Sequence, residues 1–143
     1  MEDTYLTSLR SARMLDVRII TRSIACPFEQ AYERAHAPTF FAEWAAGMSS
    51  SLHQEGDRWI AETPAGQAEV HFSPHNDFGV LDHHVMLPGG QDVYIPLRMI
   101  ENGDGTEVSL WLFRQPEMDD AAFERDAGMV EKDLDTLKAL LER

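Results

Sequence analysis

An acid followed by two histidines, Asp82-His83-His84, lies at the centre of the segment FGVLDHHVML (78–87). Imidazole nitrogens and carboxylate oxygens are common ligands of transition metals. Imidazole also titrates near neutral pH, which suits general acid–base catalysis. Successive side chains of a β-strand point to opposite faces, so His83 and His84 cannot bind one ion if this segment is a strand.

The turn after this segment determines which histidine faces the core. A three-residue loop over 88–90 places one histidine and three aliphatic residues on the inner face: Leu81, His83, Val85 and Leu87. A two-residue loop turns every side chain over and places there instead Asp82, His84 and Met86. Because the first set is more apolar, we predict that His83 points inward and His84 outward.

The sequence contains no complete metal-ligand motif. His71 alternates along its segment with Val70 and Phe72 and so faces away from them, which keeps it from meeting His83 across a sheet. There is no H-E-x-x-H pattern, and Cys26 is the single cysteine. We predict neither a metal site nor a cofactor.

The charge of the chain restricts its partners. Its 25 acidic and 12 basic residues give a formal net charge of −13, which disfavours nucleic acids and anionic membranes. No apolar run approaches the roughly 20 residues that span a bilayer, and the first residues contain no apolar signal region. We expect a cytoplasmic protein whose partner is a small molecule or another protein, and a neutral, apolar ligand would feel little of this charge.

The middle of the chain has the pattern of an antiparallel meander. Turn signals rich in Gly, Asn and Pro recur every eight to twelve residues between about 50 and 115, and β-branched and aromatic residues fill the intervals. One further strand, 16–24, precedes them. Through the NGDG turn (102–105), the strand that follows the 88–90 loop presents a wholly aliphatic face to the last strand.

Helical patterns stand on both sides of this meander. Two short stretches, CPFEQAYERAHA (26–37) and PTFFAEWAAGM (38–48), follow the first strand, and the second stops near Gly47. A long helix is predicted over 118–142. Its apolar seam falls within a narrow sector and must pack on the sheet; the seam residues are Phe123, Ala127, Val130, Leu134, Leu137 and Leu141.

This order of elements resembles the START-like (SRPBCC) superfamily, and within it bacterial polyketide cyclase/dehydrase-type proteins. The resemblance rests on ITRSIACPFEQAYERAHAPTFFAEWAAGM (20–48) and FGVLDHHVMLPGGQDVYIPLRMIENGDGTEVSLWLFRQPEMDD (78–120). It implies an α+β helix-grip fold, in which a seven-stranded curved antiparallel sheet surrounds the long C-terminal helix. We expect this domain over 16–143, preceded by an N-terminal extension over 1–15.

The resemblance also implies a cavity between sheet and helix that binds a hydrophobic or aromatic small molecule. The expected ligand-binding residues are Trp44, Trp59, Phe72, His83, Val85, Ile95, Leu97, Leu110, Val130 and Leu134. If the protein is an enzyme, His83 would move a proton during a cyclisation or dehydration. The alternatives are a core histidine bonded to a backbone carbonyl and an interior that aromatic residues fill completely.

The opposite face of the sheet presents Tyr94, Trp111 and Phe113. Exposed aromatic patches mark partner surfaces, so we expect a homodimer there, unless residues 1–15 cover the patch. This patch and the acidic surface also support an alternative function, a non-catalytic protein-interaction or chaperone-cofactor module.

Overall fold

The computed structural model describes residues 14–46, 51–63 and 66–143. Within these ranges the chain forms eight strands and three helices, which follow one another as β1 (Val17–Ile24), α1 (Phe28–Ala35), α2 (Pro38–Trp44), β2 (His53–Glu55), β3 (Arg58–Thr63), β4 (Gly66–Phe72), β5 (His83–Met86), β6 (Asp92–Ile95), β7 (Leu97–Asn102), β8 (Gly105–Phe113) and α3 (Asp120–Leu141). Residues 1–13 of the expected N-terminal extension lie outside the described residues.

The strands form two antiparallel sheets, and the long helix α3 follows them. One sheet has the order β1-β8-β7 and the other β2-β3-β4-β5-β6. This arrangement confirms the predicted α+β class with a curved antiparallel sheet and a long C-terminal helix. The described ranges hold eight strands in place of the seven predicted, because the strand expected over 91–101 divides at Pro96.

Pro96 divides that strand because proline has no backbone N–H to donate to a ladder. On one side of it, β6 pairs with β5; on the other side, β7 pairs with β8. The Pro96 carbonyl still accepts a hydrogen bond from the Trp111 N–H at 3.0 Å. One continuous stretch of chain therefore joins the two sheets.

The core lies between the β1-β8-β7 sheet and α3. Leu97 pairs with Leu110, and Met99 pairs with Val108, as the aliphatic pattern predicts. These side chains are buried against Leu134 and Leu137 of α3. The hairpin between β7 and β8 pairs Asn102 with Gly105, so its loop has two residues, and Gly103 takes a positive φ of 55° there.

Helix α3 begins directly after its N-cap residue, Asp119. The Asp119 carboxylate accepts a hydrogen bond from the Ala122 N–H at 2.8 Å, which satisfies one of the free donors of the first turn. Apart from Val130, which is half-buried, the predicted seam is buried. Two ion pairs fix the helix to β1: Arg18 with Glu124 at 3.0 Å and Arg22 with Asp135 at 2.6 Å.

The two short helices follow β1 as predicted. Pro27 precedes α1, and Pro38 opens α2 in the first turn, where the missing N–H costs nothing. Helix α2 ends at Trp44, whereas the sequence predicts an end near Gly47, a residue outside the described ones. No helix in the described ranges combines the length and apolar character that a bilayer crossing requires.

Candidate functional site

A pocket of about 510 Å³ opens between the two sheets and α3. Helix α2 contributes Phe41 and Trp44, and β5 contributes His83 and Val85. The remaining walls come from β6, from the end of β8, from α3 and from the loops that join β5 to β6 and β8 to α3. A volume of this size suits a small organic molecule.

The division at Pro96 explains why the pocket is open. Beyond Leu110, β8 pairs only with β1 among the described strands, while β6 pairs only with β5. The two sheets separate there, and Tyr94, Trp111 and Phe113 line this part of the pocket. Tyr94 is 40% exposed, so its ring lies where the pocket meets solvent.

The sequence predicts Tyr94, Trp111 and Phe113 on the outer face of the sheet, and the structure also places them at the pocket. On β1, Ile19 pairs with Trp111 and Val17 pairs with Phe113. Ile19 and Val17 are both about half exposed, so Trp111 and Phe113 lie on the same outward side of the sheet as these two residues. The rings of Tyr94 and Phe113 also stack, with centroids 6.4 Å apart. Because the sheet is interrupted beside them, the same side chains form the mouth of the pocket.

His83 lies in the pocket wall, pointing inward as predicted. Val85 pairs with Val93, and His83 with Ile95, which leaves the three-residue loop 88–90. His83 is 3% exposed, and its ring packs edge-on against Phe41 with centroids 5.1 Å apart.

The hydrogen bonding of His83 fixes its chemistry. Nδ1 lies 3.1 Å from the Leu81 carbonyl oxygen. A carbonyl only accepts, so Nδ1 bears the proton and Nε2 presents a lone pair. Burial lowers the pKa of His83, a shift that the bond to Leu81 only partly opposes. The side chain is thus a neutral hydrogen-bond acceptor in the pocket wall.

Asp82 and His84 point away from the pocket. The Asp82 carboxylate accepts hydrogen bonds from Arg98 Nε and Nη2 at 2.9 and 2.8 Å and from the Leu97 N–H at 2.9 Å. Burial acts to raise the pKa of Asp82, but these bonds outweigh it and hold the pKa below its usual range. His84 Nδ1 instead bonds Asp92 at 2.9 Å. The Tyr94 hydroxyl also donates to Asp82 at 3.0 Å, so Asp82 fixes the chain on both sides of Pro96.

Trp44 presents an unused hydrogen-bond donor. It is 5% exposed and lines the pocket, and its Nε1 is buried without a hydrogen-bond partner in the part of the chain that the structure describes. A buried donor without a partner is rare and costs about 1–3 kcal/mol. The sequence predicts Trp44 as an apolar wall, and nothing in it indicates that the indole N–H lacks an acceptor.

One side of α3 brings carboxylates into the pocket. Asp126, Val130 and Asp133, at i, i+4 and i+7, all line it. Burial raises the pKa of Asp126 and of Asp133, although the Ala46 N–H donates to Asp133 at 3.2 Å and opposes the shift. Both acids are absent from the site predicted from the sequence, because that prediction followed only the apolar residues; their spacing around Val130 was the available signal.

No protein-family model and no curated protein matches the sequence. Solved structures do match it. XoxI from Bacillus cereus aligns with a TM-score of 0.68 and 16% identity over 89% of this chain and 96% of its own. CalU16 from Micromonospora echinospora aligns with a TM-score of 0.61 and 20% identity over 89% and 76%. DynU16, a protein in the dynemicin biosynthetic locus, aligns with a TM-score of 0.62 and 15% identity over 89% and 47%.

The chain has the helix-grip fold. The pocket lies between the sheets and the long helix of this fold, where the resemblance implies a binding cavity. Six of the predicted ligand-binding residues line it: Trp44, His83, Val85, Ile95, Leu110 and Val130.

The other four predicted ligand-binding residues do not line this pocket between the two sheets and α3, called the helix-grip pocket below. Leu97 and Leu134 are fully buried in the hydrophobic core, one layer deeper. Trp59 and Phe72 line a separate depression beside Arg58 and His71 on the five-stranded sheet. Periodicity identifies the inward face of an element, but it does not tell which inward residues border empty space.

A group of side chains away from the helix-grip pocket has metal-ligating atoms within 4.8 Å of one another: Glu33, His36 and His75. The Glu33 carboxylate lies 2.7 Å from His75 Nε2 and 3.6 Å from His36 Nε2. The hydrogen bond to His75 is the main cause that lowers the pKa of Glu33. The metal-site prediction from the sequence considered His71, His83 and His84 and left this trio out. The ion pairs of Glu33 with His36 and His75 account for the geometry of the trio.

Proposed function

We propose that the protein binds an aromatic or hydrophobic small molecule in the pocket between the two sheets and α3. The observation that carries this proposal is the buried Trp44 Nε1 donor without a partner in the described ranges, at the wall of an open, largely apolar pocket. The lone pair of His83 Nε2 lies in the same wall. A ligand with a ring and one hydroxyl or carbonyl group matches this lining.

Trp44→Phe tests the proposal because it keeps an aromatic wall and removes only the N–H. The probes are 1-naphthalenemethanol, which has a hydroxyl group, and naphthalene, which has none. Loss of one hydrogen bond to a ligand weakens binding by about 1 kcal/mol, or roughly fivefold. We expect that loss for the alcohol alone, measured by isothermal titration calorimetry.

Trp59→Phe is the matched control, since Trp59 lies outside the pocket. It removes an indole N–H from the same protein, so it should leave both affinities unchanged. Failure of the wild-type protein to bind either probe, or an equal effect of both substitutions, would contradict the proposed role of Trp44 and the pocket.

A catalytic version of this function would use His83. As a neutral imidazole it would accept a proton at Nε2 during a cyclisation or dehydration of the bound molecule. DynU16, one of the similar structures, belongs to a biosynthetic locus, which supports a search among cyclisation substrates. Unchanged turnover of such a substrate by His83→Ala would exclude this role.

A protein-interaction role is the second candidate. It is favoured by the exposed side chains Val17 and Ile19, which lie beside Trp111 and Phe113 on the outward side of the three-stranded sheet. Native mass spectrometry of protein purified from its host separates the two functions. A co-purified small molecule supports the pocket, whereas a stoichiometric protein partner with no small ligand supports the interaction role.

A further inference from the structure

The charged groups of the pocket all have one sign. Glu117, Asp126 and Asp133 line it, whereas no lysine or arginine does within the described part of the chain. The other titratable side chains of the lining are Tyr94 and the neutral His83. A pocket of this kind offers negative charge and no counter-charge of its own.

Of the acids of α3 that face elsewhere, Glu131 is exposed to solvent and the others have partners. Glu124 pairs with Arg18, Asp135 with Arg22, and Asp120 with Arg114. In contrast, Asp126 makes no hydrogen bond and no ion pair with any described residue, and Asp133 has one neutral backbone donor, the Ala46 N–H. The helix therefore leaves its least satisfied carboxylates on the pocket side.

Partly burying an unpaired carboxylate is unfavourable, because it loses hydration and gains no partner in exchange. Burial raises the pKa of Asp126 and Asp133 for this reason. An ammonium group bound beside one of them would reverse that penalty for the carboxylate it contacts. Asp126 and Asp133 are two helical turns apart, about 10 Å along the axis, so a single amine can approach either of them beside Val130.

The aromatic walls suit the same chemistry. Indole and phenol rings attract cations through the negative charge on their faces, and Trp44, Trp111 and Tyr94 all line the pocket. The unpartnered Trp44 N–H is a second, independent sign that a ligand completes the lining. Because an indole N–H only donates, that ligand must also carry a hydrogen-bond acceptor.

We infer that the pocket selects a hydrophobic cation, namely an amine whose aromatic or aliphatic body also carries a hydroxyl or carbonyl group, and excludes carboxylates and phosphates. This inference rests on the proposed binding function. It differs from the expectation from the sequence of a neutral ligand, because the acids belong to the site itself. An anion would meet both the lining carboxylates and the net charge of −13.

Three probes with one ring system test the selectivity: 2-amino-1-(1-naphthyl)ethanol as the amine, which keeps a hydroxyl group for Trp44, 1-naphthalenemethanol as the alcohol, and 1-naphthoate as the carboxylate. We expect calorimetry near pH 7 and low salt to show the amine binding about tenfold tighter than the alcohol, and the carboxylate at least about tenfold weaker. Raising the salt concentration should weaken the amine and leave the alcohol unchanged. Equal affinities for alcohol and amine would overturn the inference and leave the proposed function intact; no binding of any probe would overturn both.

The substitutions Asp126→Asn and Asp133→Asn remove charge and keep shape. Each should reduce amine affinity by about fivefold without changing that of the alcohol. Asp135→Asn is the matched control: it makes the same change on the same helix, but its carboxylate bonds Arg22 outside the pocket. A similar loss of amine affinity in all three variants would reduce the effect to net charge and overturn the assignment to the pocket acids. The salt comparison on the wild-type protein tests the selectivity without any variant.

Discussion

Three consecutive side chains, Asp82, His83 and His84, make separate connections. Asp82 bonds Arg98 and Leu97 across the division of the chain, His83 bonds the Leu81 carbonyl at the pocket wall, and His84 bonds Asp92 near solvent. Strand alternation explains why three polar neighbours do not form one site. The motif that suggests shared chemistry in the sequence has a different role at each position in the fold, although Asp82 and His84 both contact Tyr94, through its hydroxyl and its ring respectively.

Asp82→Ala should destabilise the protein by about 1–3 kcal/mol, because the buried Leu97 N–H loses its acceptor. Urea unfolding followed by circular dichroism measures this. Asp92→Ala is the control: its bond to His84 is exposed, and exposed ion pairs are worth about 0–1 kcal/mol. Equal losses in the two variants would contradict the structural role of Asp82.

His83 should make the stability of the protein sensitive to pH. Because burial lowers its folded pKa, the unfolded chain takes up a proton first as the pH falls below its usual value of about 6.5. The free energy of unfolding is therefore highest above that pH and falls as the pH decreases toward the folded pKa, by up to about 1.4 kcal/mol per pH unit.

Replacing His83 with Asn should flatten this part of the profile in urea unfolding between about pH 7 and pH 5. His84→Asn, which removes the neighbouring, partly exposed imidazole, is measured beside it as the control for losing a histidine. A His83→Asn protein with the full wild-type slope would show that other groups cause the pH dependence.

The sequence was sufficient to orient His83, because one hairpin register left the strand with a clearly more apolar inner face. It was insufficient for Trp44 and for Asp126 and Asp133. Whether an indole N–H finds an acceptor depends on residues far apart in the chain, and an acid beside an apolar seam has the pattern of an ordinary solvated helix edge.

At the scale of elements, α3 has two inward roles that its apolar seam does not distinguish. Leu134 is fully buried between helix and sheet, whereas Val130 borders the pocket. Both were predicted to bind ligand. The difference arises because the pocket borders one side of α3, where Ala122, Asp126, Met129, Val130 and Asp133 line it, while the seam residues Phe123, Ala127 and Leu134 are buried and do not line it.

Truncating these two residues should separate stability from binding. Leu134→Ala should cost about 2–5 kcal/mol by leaving a cavity in the core, with little effect on the affinity for 1-naphthalenemethanol under folding conditions. Val130→Ala should cost about 1 kcal/mol and change that affinity. Thermal unfolding and calorimetry measure the two effects, and the opposite assignment of them would contradict the position of the pocket.

The order of elements was predictable, since turn spacing, helix-start prolines and the seam of α3 are local signals. The number of strands was not predicted, although Pro96 was visible in the sequence. The apolar alternation on both sides of it suggested one strand. The effect of the missing N–H on strand pairing can be judged only when the neighbouring strands are known.

At the scale of the whole molecule, the homodimer expected through Tyr94, Trp111 and Phe113 remains a prediction. Val17 and Ile19 extend that surface. We expect sedimentation velocity to show a dimer that Ile19→Asp dissociates, while Ile100→Asp, exposed on a different strand of the same sheet, has less effect. A monomeric wild-type protein at every concentration would contradict the prediction.

The missing ladder bonds beside Pro96 have one further consequence. The opening that they leave belongs to the main chain, and the stacked rings of Tyr94 and Phe113 stand at its edge. A guest longer than the cavity would place its ring beside Trp44 and leave its remaining length in water. Discrimination would then act on the enclosed end alone, and related compounds with different extensions would share one binding constant.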